Sequence, residues 1–281
     1  MINILILSLV LSLALAVLIG IKRQKKILIK KQLTGINSII VMNDLVKLLQ
    51  KHRGLSAAFC SGDDNVIREL KELVTHISSL VLILNKVPTI QANDRWLSFN
   101  DHWSRLSQHQ QGISAEDSFK QHTNIITNIL YLLEDIAEYH YLTKEHLDNF
   151  TNIGFLWREL LAVTESVGQS RAIGTRVVTI KSCSSVDKIK LKFLQQHIYI
   201  VSEEVLKTLL NTSQQSELAG LVKQSLASTQ GLTTSITDDI LNVDKIVIDR
   251  STYFELATHT MENLNQVFSY QVRQLQQSLQ T

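Results

Sequence analysis

Proline is almost missing from this chain of 281 residues: Pro88 stands alone, alongside only ten glycines. Proline has no N–H to donate and clashes with the preceding helical turn, so a chain with one proline can stay helical nearly throughout. Alternating apolar and polar residues over useful strand lengths are missing too, as are tandem repeats and low-complexity tracts. Cysteine is scarce: Cys60 and Cys183 fit free thiols in a reducing compartment, although two could also pair. Catalytic signatures are lacking as well. There is no Cys-x-x-Cys, no phosphate-binding glycine loop and no Gly-x-Ser-x-Gly elbow. None of the nine histidines has Asp or Glu three residues before it, and no His-Glu-x-x-His occurs, which removes the helical metal signatures. Most histidines are read as surface or satisfied residues, and Trp96, Trp103 and Trp157 as core or interface anchors. No enzyme activity, catalytic residue, metal or cofactor is expected.

Acidic residues are absent from positions 1–31, where six of the 28 Lys and Arg residues stand. The rest of the chain is therefore mildly acidic, with 22 basic against 26 acidic residues. Such a body is a poor nucleic-acid partner, because phosphate contacts need clustered positive charge. Residues 1–21 carry no charge and are rich in Leu, Ile, Val and Ala, a run just long enough for a hydrocarbon core of ~30 Å. Lys22, Arg23, Lys25, Lys26, Lys30 and Lys31 follow it. A cleavable signal would place its basic residues first and end in small residues; a secreted protein with an unusual signal is the alternative. The positive-inside rule keeps this flank in the cytoplasm, and the lysines can touch anionic headgroups. The expectation is a transmembrane helix at 1–21, a basic juxtamembrane segment at 22–33 and a helical domain at 34–281. The protein would be single-pass in the inner (cytoplasmic) membrane, with its bulk in the cytoplasm.

Apolar residues at helical spacing alternate with short polar breaks. Helices are expected near 34–60, 64–86, 94–110, 115–141, 146–181, 187–211, 216–228, 236–247 and 252–279. Ser61-Gly62-Asp63-Asp64, Pro88 to Asp94 and Ser182 to Asp187 read as breaks. Ser114-x-x-Asp117 and Thr252-x-x-Glu255 read as capping boxes. The predicted fold is all-α: an N-terminal transmembrane helix, then long antiparallel helices in bundles.

The most informative pattern lies in the helix expected at 34–60. Its 3-4 seam reads Ile39, Met42, Val46, Leu49, Arg53, Ser56, Cys60, so an arginine stands where a leucine is expected. The helix expected at 146–181 repeats this with Trp157, Leu161, Thr164, Gly168, Arg171, Thr175 and Val178. Small residues (Gly54, Ala57, Ala58; Gly168, Ala172, Gly174) surround each arginine. A buried unpaired guanidinium costs several kcal/mol, so each needs a buried carboxylate, a path to water or an external anion. Neither seam offers a carboxylate within one turn of its arginine, which favours a small anion. A guanidinium fork suits a planar oxyanion.

The stretch LLQKHRGLSAAF (Leu48 to Phe59) resembles the opening signature of the NIT domain family, the helical nitrate- and nitrite-sensing module of bacterial receptors and regulators. VGQSRAIGT (Val167 to Thr175) resembles its second motif, and STYFELATHTMENL (Ser251 to Leu264) its closing helix more weakly. The similarity spans roughly residues 40–275. It implies an all-helical sensor of two packed bundles, with nitrate or nitrite held between Arg53 and Arg171. His52, where the family more often has a charged residue such as Glu, is a secondary position, with Ser56, Thr175 and Arg176. Arg176 lies about 140° around the helix from Arg171, where a solvated position is the alternative. Such modules usually precede an output domain, and the chain leaves no room for one, so a separate signalling partner or a homodimer is expected to carry the signal by helix repacking. A ligand-free adaptor bundle and a sensor of another small anion are the competing readings.

Overall fold

A computed structural model describes residues 2–108, 112–147, 150, 152–212 and 216–280, with the side chains of residues 2–10 and 212 excepted. The elements are α1 (Ile2–Cys60), α2 (Ile67–Leu84), the short α3 (Pro88–Gln91), α4 (Asp94–Leu106), α5 (Ala115–Tyr139), α6 (Ile153–Phe155), α7 (Leu161–Ile180), α8 (Ser185–Thr212), α9 (Ser216–Ser235) and α10 (Arg250–Gln280). Among the described residues there is no strand. One π-helical stretch, Leu156–Leu160, joins α6 to α7, and another, Ile236–Leu241, extends α9.

With no proline before position 88, nothing interrupts α1 for 59 residues, about 90 Å at 1.5 Å per residue. The segment expected as a juxtamembrane connector at 22–33 is therefore part of the same rod. Among the described residues no helix is long and apolar enough to cross a membrane. The expected span at 1–21 falls partly outside them, since Met1 and the side chains of residues 2–10 are not described. The remaining part presents Leu11, Leu13, Leu15, Val17, Leu18, Ile19 and Ile21 exposed.

From Gln32 onward α1 enters the protein. Ile39, Met42 and Leu49 of the expected seam are fully buried, as are Ile36 and Leu45 beside it, each contributing about 1.5–3 kcal/mol by burial. They pack with α2, α4 and α5 in a first bundle, while α7, α8, α9 and α10 form a second. Neighbours run antiparallel: Gln32 and Lys31 of α1 bond near Tyr141 and His140 at the end of α5, and Arg53 bonds Thr123 near its start. On the other side α1 touches α7 and α10, with Gln276 donating to Asn37 at 2.9 Å. Trp96, Trp103 and Trp157 are buried, as core anchors should be.

Several ends differ from expectation. Ser114 caps α5 as its box predicts, its hydroxyl accepting from the Asp117 N–H at 3.0 Å. The cap of α10 is not Thr252 but Asp249, whose carboxylate accepts from the N–H groups of Ser251 and Thr252 at 2.8 and 3.4 Å. The break expected at 228–236 does not exist. Thr229 and Thr233 donate their hydroxyls to the carbonyls of Ser225 and Thr229 one turn back, a bond compatible with a continuous helix. The helix expected from 146 begins at Ile153, and residues 144–146 form a turn instead. The boundary expected at 110 lies outside the described residues.

Candidate functional site

Arg53 is 1% exposed and reaches from α1 into the second bundle. Its two terminal nitrogens fork onto the carboxylate of Glu165 on α7, one to Oε1 and the other to Oε2 at 3.3 Å. Glu165, also buried, accepts two further bonds, from Gln50 Nε2 at 2.9 Å and Gln169 Nε2 at 3.0 Å. Arg53 also donates to Thr123 Oγ1 at 3.1 Å and lies over the Phe119 ring. The first arginine thus has the carboxylate that a search along its own helix could not find. It comes from the neighbouring motif helix, two turns before Arg171. The signal was present in the sequence: Glu165 is the one acidic residue between Leu160 and Val186, inside a run of small and apolar residues.

Arg171 is differently placed. It donates to Thr258 Oγ1 of α10 at 3.0 Å and stacks over Phe254 at 5.2 Å. Among the described residues it makes no ion pair. Burial first, and then the neighbouring charge of Arg53, pull its pKa below the usual arginine range; Glu165 and Glu262 act the other way. Glu262 is exposed. The site therefore holds a buried Arg53 paired with the buried Glu165, and a partly buried Arg171 with no ion-pair partner among the described residues, an excess of positive charge. One turn beyond Arg171, Thr175 Oγ1 is buried without a hydrogen-bond partner among the described residues, a hydroxyl donor left over where such groups are normally satisfied.

Two glycines make this approach of helices possible. A Cβ on Gly168 would lie 3.0 Å from Arg53 Nη2 and 3.3 Å from Met261 Cε, so its bare backbone is what lets Arg53 reach α7. A Cβ on Gly174 would fall 2.3 Å from the ring of Tyr253, which is fully buried and donates its hydroxyl to the Ser170 carbonyl at 3.0 Å. That contact fixes α10 against α7 and with it the height of Thr258 beside Arg171.

His52 and Ser56 belong to an adjoining cluster. His122 Nδ1 lies 2.7 Å from the Ser118 carbonyl, which can only accept, so this nitrogen carries the proton. Burial pushes both imidazoles down, His52 to about 3 and His122 to about 4, with their mutual proximity adding to the shift at His52. His122 is thus neutral near pH 7, and its Nε2 accepts from His52 Nδ1 at 2.8 Å. Ser56 Oγ shares that nitrogen at 3.1 Å, and His52 meets Trp103 edge-on. Both residues are committed to orienting this wall beside Arg53. Arg176 is not turned to the site. It is half-exposed and pairs with Asp187 at 2.5 Å, where Ser184 and Asp187 cap α8. Its 140° offset places it at the α7–α8 corner instead.

The arrangement offers hydrogen-bond donors and net positive charge, the equipment for a small anion. Among the described residues no group of three or more His, Cys, Asp or Glu side chains could hold a metal. Cys60 and Cys183 form no disulfide among the described residues.

Comparison with known proteins agrees on the fold. The solved structure of the NasR transcription antiterminator is similar, with a TM-score of 0.67 and 16% identity over 95% of this chain and 74% of that one. No curated protein matches the chain in sequence. The family described as nitrate and nitrite sensing matches residues 44–276, a stretch holding Arg53, Glu165, Arg171 and Thr258. The chain is a member of that NIT family.

Proposed function

We propose that the protein senses nitrate or nitrite, binding the anion between Arg53 and Arg171 at the junction of α1, α7 and α10. The observation that carries this reading is the uncompensated charge: two arginines stand against one buried carboxylate, and among the described residues the Thr258 hydroxyl is the one hydrogen-bond partner of Arg171. A cation withdrawn from water without a counter-ion is costly, and a monovalent anion removes the excess. The unpartnered Thr175 hydroxyl is a further donor within one turn. Arg171 is only partly buried, which gives a ligand a way in from solvent. Neutralisation favours one packing of α1 against α7 and α10 over another, and a ligand shifts such an equilibrium by its differential affinity for the two packings.

The role is sensory, with no catalytic step. The NasR neighbour is itself a regulator. The exposed apolar residues Leu11 to Ile21 and the lysines that follow support an anchor in the cytoplasmic membrane with the helical domain inside. The repacking is passed to a separate signalling partner or to a second copy of the chain.

Thermal unfolding of the purified full chain in sodium nitrate, nitrite, sulfate and chloride tests the reading. Nitrate or nitrite should raise the midpoint well above chloride at equal ionic strength, and Arg171→Ala should abolish the difference. Equal midpoints in all four salts would leave the bundle as a ligand-free structural element.

A further inference from the structure

Glu165 stands in the place where a bound anion is wanted. Its two oxygens take both terminal nitrogens of Arg53, and an oxyanion with two oxygens on one planar centre presents the same pair of acceptors. We propose that Glu165 is a tethered competitor for the ligand, a built-in anion that nitrate or nitrite must displace from Arg53 and that thereby sets both affinity and selectivity. This rests on the reading of Arg53 and Arg171 as the anion site.

The surroundings of Glu165 suit such an exchange. It does not depend on Arg53 alone: Gln50 and Gln169 hold Oε2 and Oε1 independently at 2.9 and 3.0 Å. Losing the guanidinium therefore leaves the carboxylate hydrogen-bonded and not stranded. A second cation stands on the same helix six residues on, and the Glu165 charge opposes the downward shift of the Arg171 pKa. The exchange breaks two Arg53–Glu165 hydrogen bonds and makes two from Arg53 to the incoming oxyanion. The carboxylate keeps its amide donors and moves toward Arg171. Two arginines then face two anions, and the excess charge is gone.

Selectivity follows from shape. A planar oxyanion can replace both carboxylate oxygens on a guanidinium fork, whereas chloride offers a single centre and sulfate a tetrahedral face with a second charge. The competitor raises the threshold for every anion, but a ligand that restores both hydrogen bonds recovers most of what it displaces. The exchange also reports itself. Arg53 belongs to α1 and Glu165 to α7, so their ion pair is one tie between the two bundles beside the Gln50–Glu165 hydrogen bond, and the ligand cuts the ion pair.

Calorimetric titration of sodium nitrate, sodium nitrite and sodium chloride into the full chain tests the proposal. Glu165→Gln keeps the shape and the amide neighbours but removes the competing charge. It should bind nitrate about tenfold more tightly or better, and its preference for nitrate over chloride should shrink. Glu165→Asp, a methylene shorter and withdrawn from Arg53, should tighten nitrate binding to a smaller degree and covers the case in which the glutamine variant does not fold. Wild-type binding that is lost in Arg171→Ala but unchanged or weakened in both folded Glu165 variants would overturn the competitor role while leaving the anion site intact. Absence of nitrate and nitrite binding in wild type and variants alike would overturn both.

Discussion

Removing either partner of the Arg53–Glu165 pair should be among the most damaging single changes in the interior, for a reason that can be separated from ligand binding. In Arg53→Met the side chain keeps much of its length, but Glu165 is left as a buried carboxylate without its cation. Breaking one side of a buried pair costs about 3–5 kcal/mol. The two amide donors from Gln50 and Gln169 remain, which places the expected loss near the lower end, about 3 kcal/mol. Glu165→Leu leaves Arg53 with only Thr123 as a hydrogen-bonding side chain and the Phe119 ring, and belongs at the upper end of the same range. The double variant strands neither charge. It should be more stable than either single variant, with a coupling of about 2–3 kcal/mol between the two positions. Urea unfolding of the full chain at neutral pH in nitrate-free buffer measures this, with tryptophan fluorescence as the signal. Additive losses below about 1 kcal/mol for each single change, the scale of an exposed pair, would refute the buried pair.

Other consequences follow from the same contacts. Gly174→Ala drives a methyl into the Tyr253 ring, at an overpacking cost of about 1–3 kcal/mol, partly offset by the ~1 kcal/mol better helix propensity of alanine. Gly220→Ala, where a Cβ meets nothing within 4 Å, should instead stabilise by about 0.5–1 kcal/mol; comparing the two unfolding midpoints checks the close approach. Acid should weaken the fold through the His52–His122 pair. Both imidazoles are held far below 6.5, at about 3 and about 4, so the unfolded state binds protons that the folded state refuses. Their contribution is fully present above pH 6.5 and declines as pH falls from there toward 4, by up to about 1.4 kcal/mol per pH unit for each histidine. A urea midpoint that stays constant from pH 7 to 4.5 would show that the pair is not buried neutral. Asp249→Ala removes the cap of α10 and should cost about 1 kcal/mol; a loss matched by Thr252→Ala would instead restore Thr252 as the cap.

Spacing alone exposed the seam of α1 down to Arg53, because periodic burial is a property of one helix and is written in one helix's sequence. It also located Arg171 and two of the small residues that let helices approach, Gly168 and Gly174, whereas Gly54 faces open space. The partner of Arg53 escaped because ion pairs across helices depend on how two rods align, and a search within one turn sees only half of the possible neighbours. Arg176 shows the converse. It stands five residues from Arg171, but the helix turns it toward Asp187. The Thr and Ser run at 228–235 looked like a break because free hydroxyls compete with backbone bonding, whereas here they bond back into the helix. The His52–His122 pair joins α1 to α5 across 70 residues of chain, and no local pattern marks it.

The central claim is that Arg171, with an excess positive charge behind it, receives a nitrate or nitrite ion together with Arg53. Calorimetric titration of the full chain with sodium nitrate, beside Arg171→Ala, tests it most directly. One anion should bind saturably per chain, and binding should be lost in Arg171→Ala while the variant's unfolding midpoint in nitrate-free buffer is retained or raised. Undiminished nitrate binding by a folded Arg171→Ala protein would contradict it.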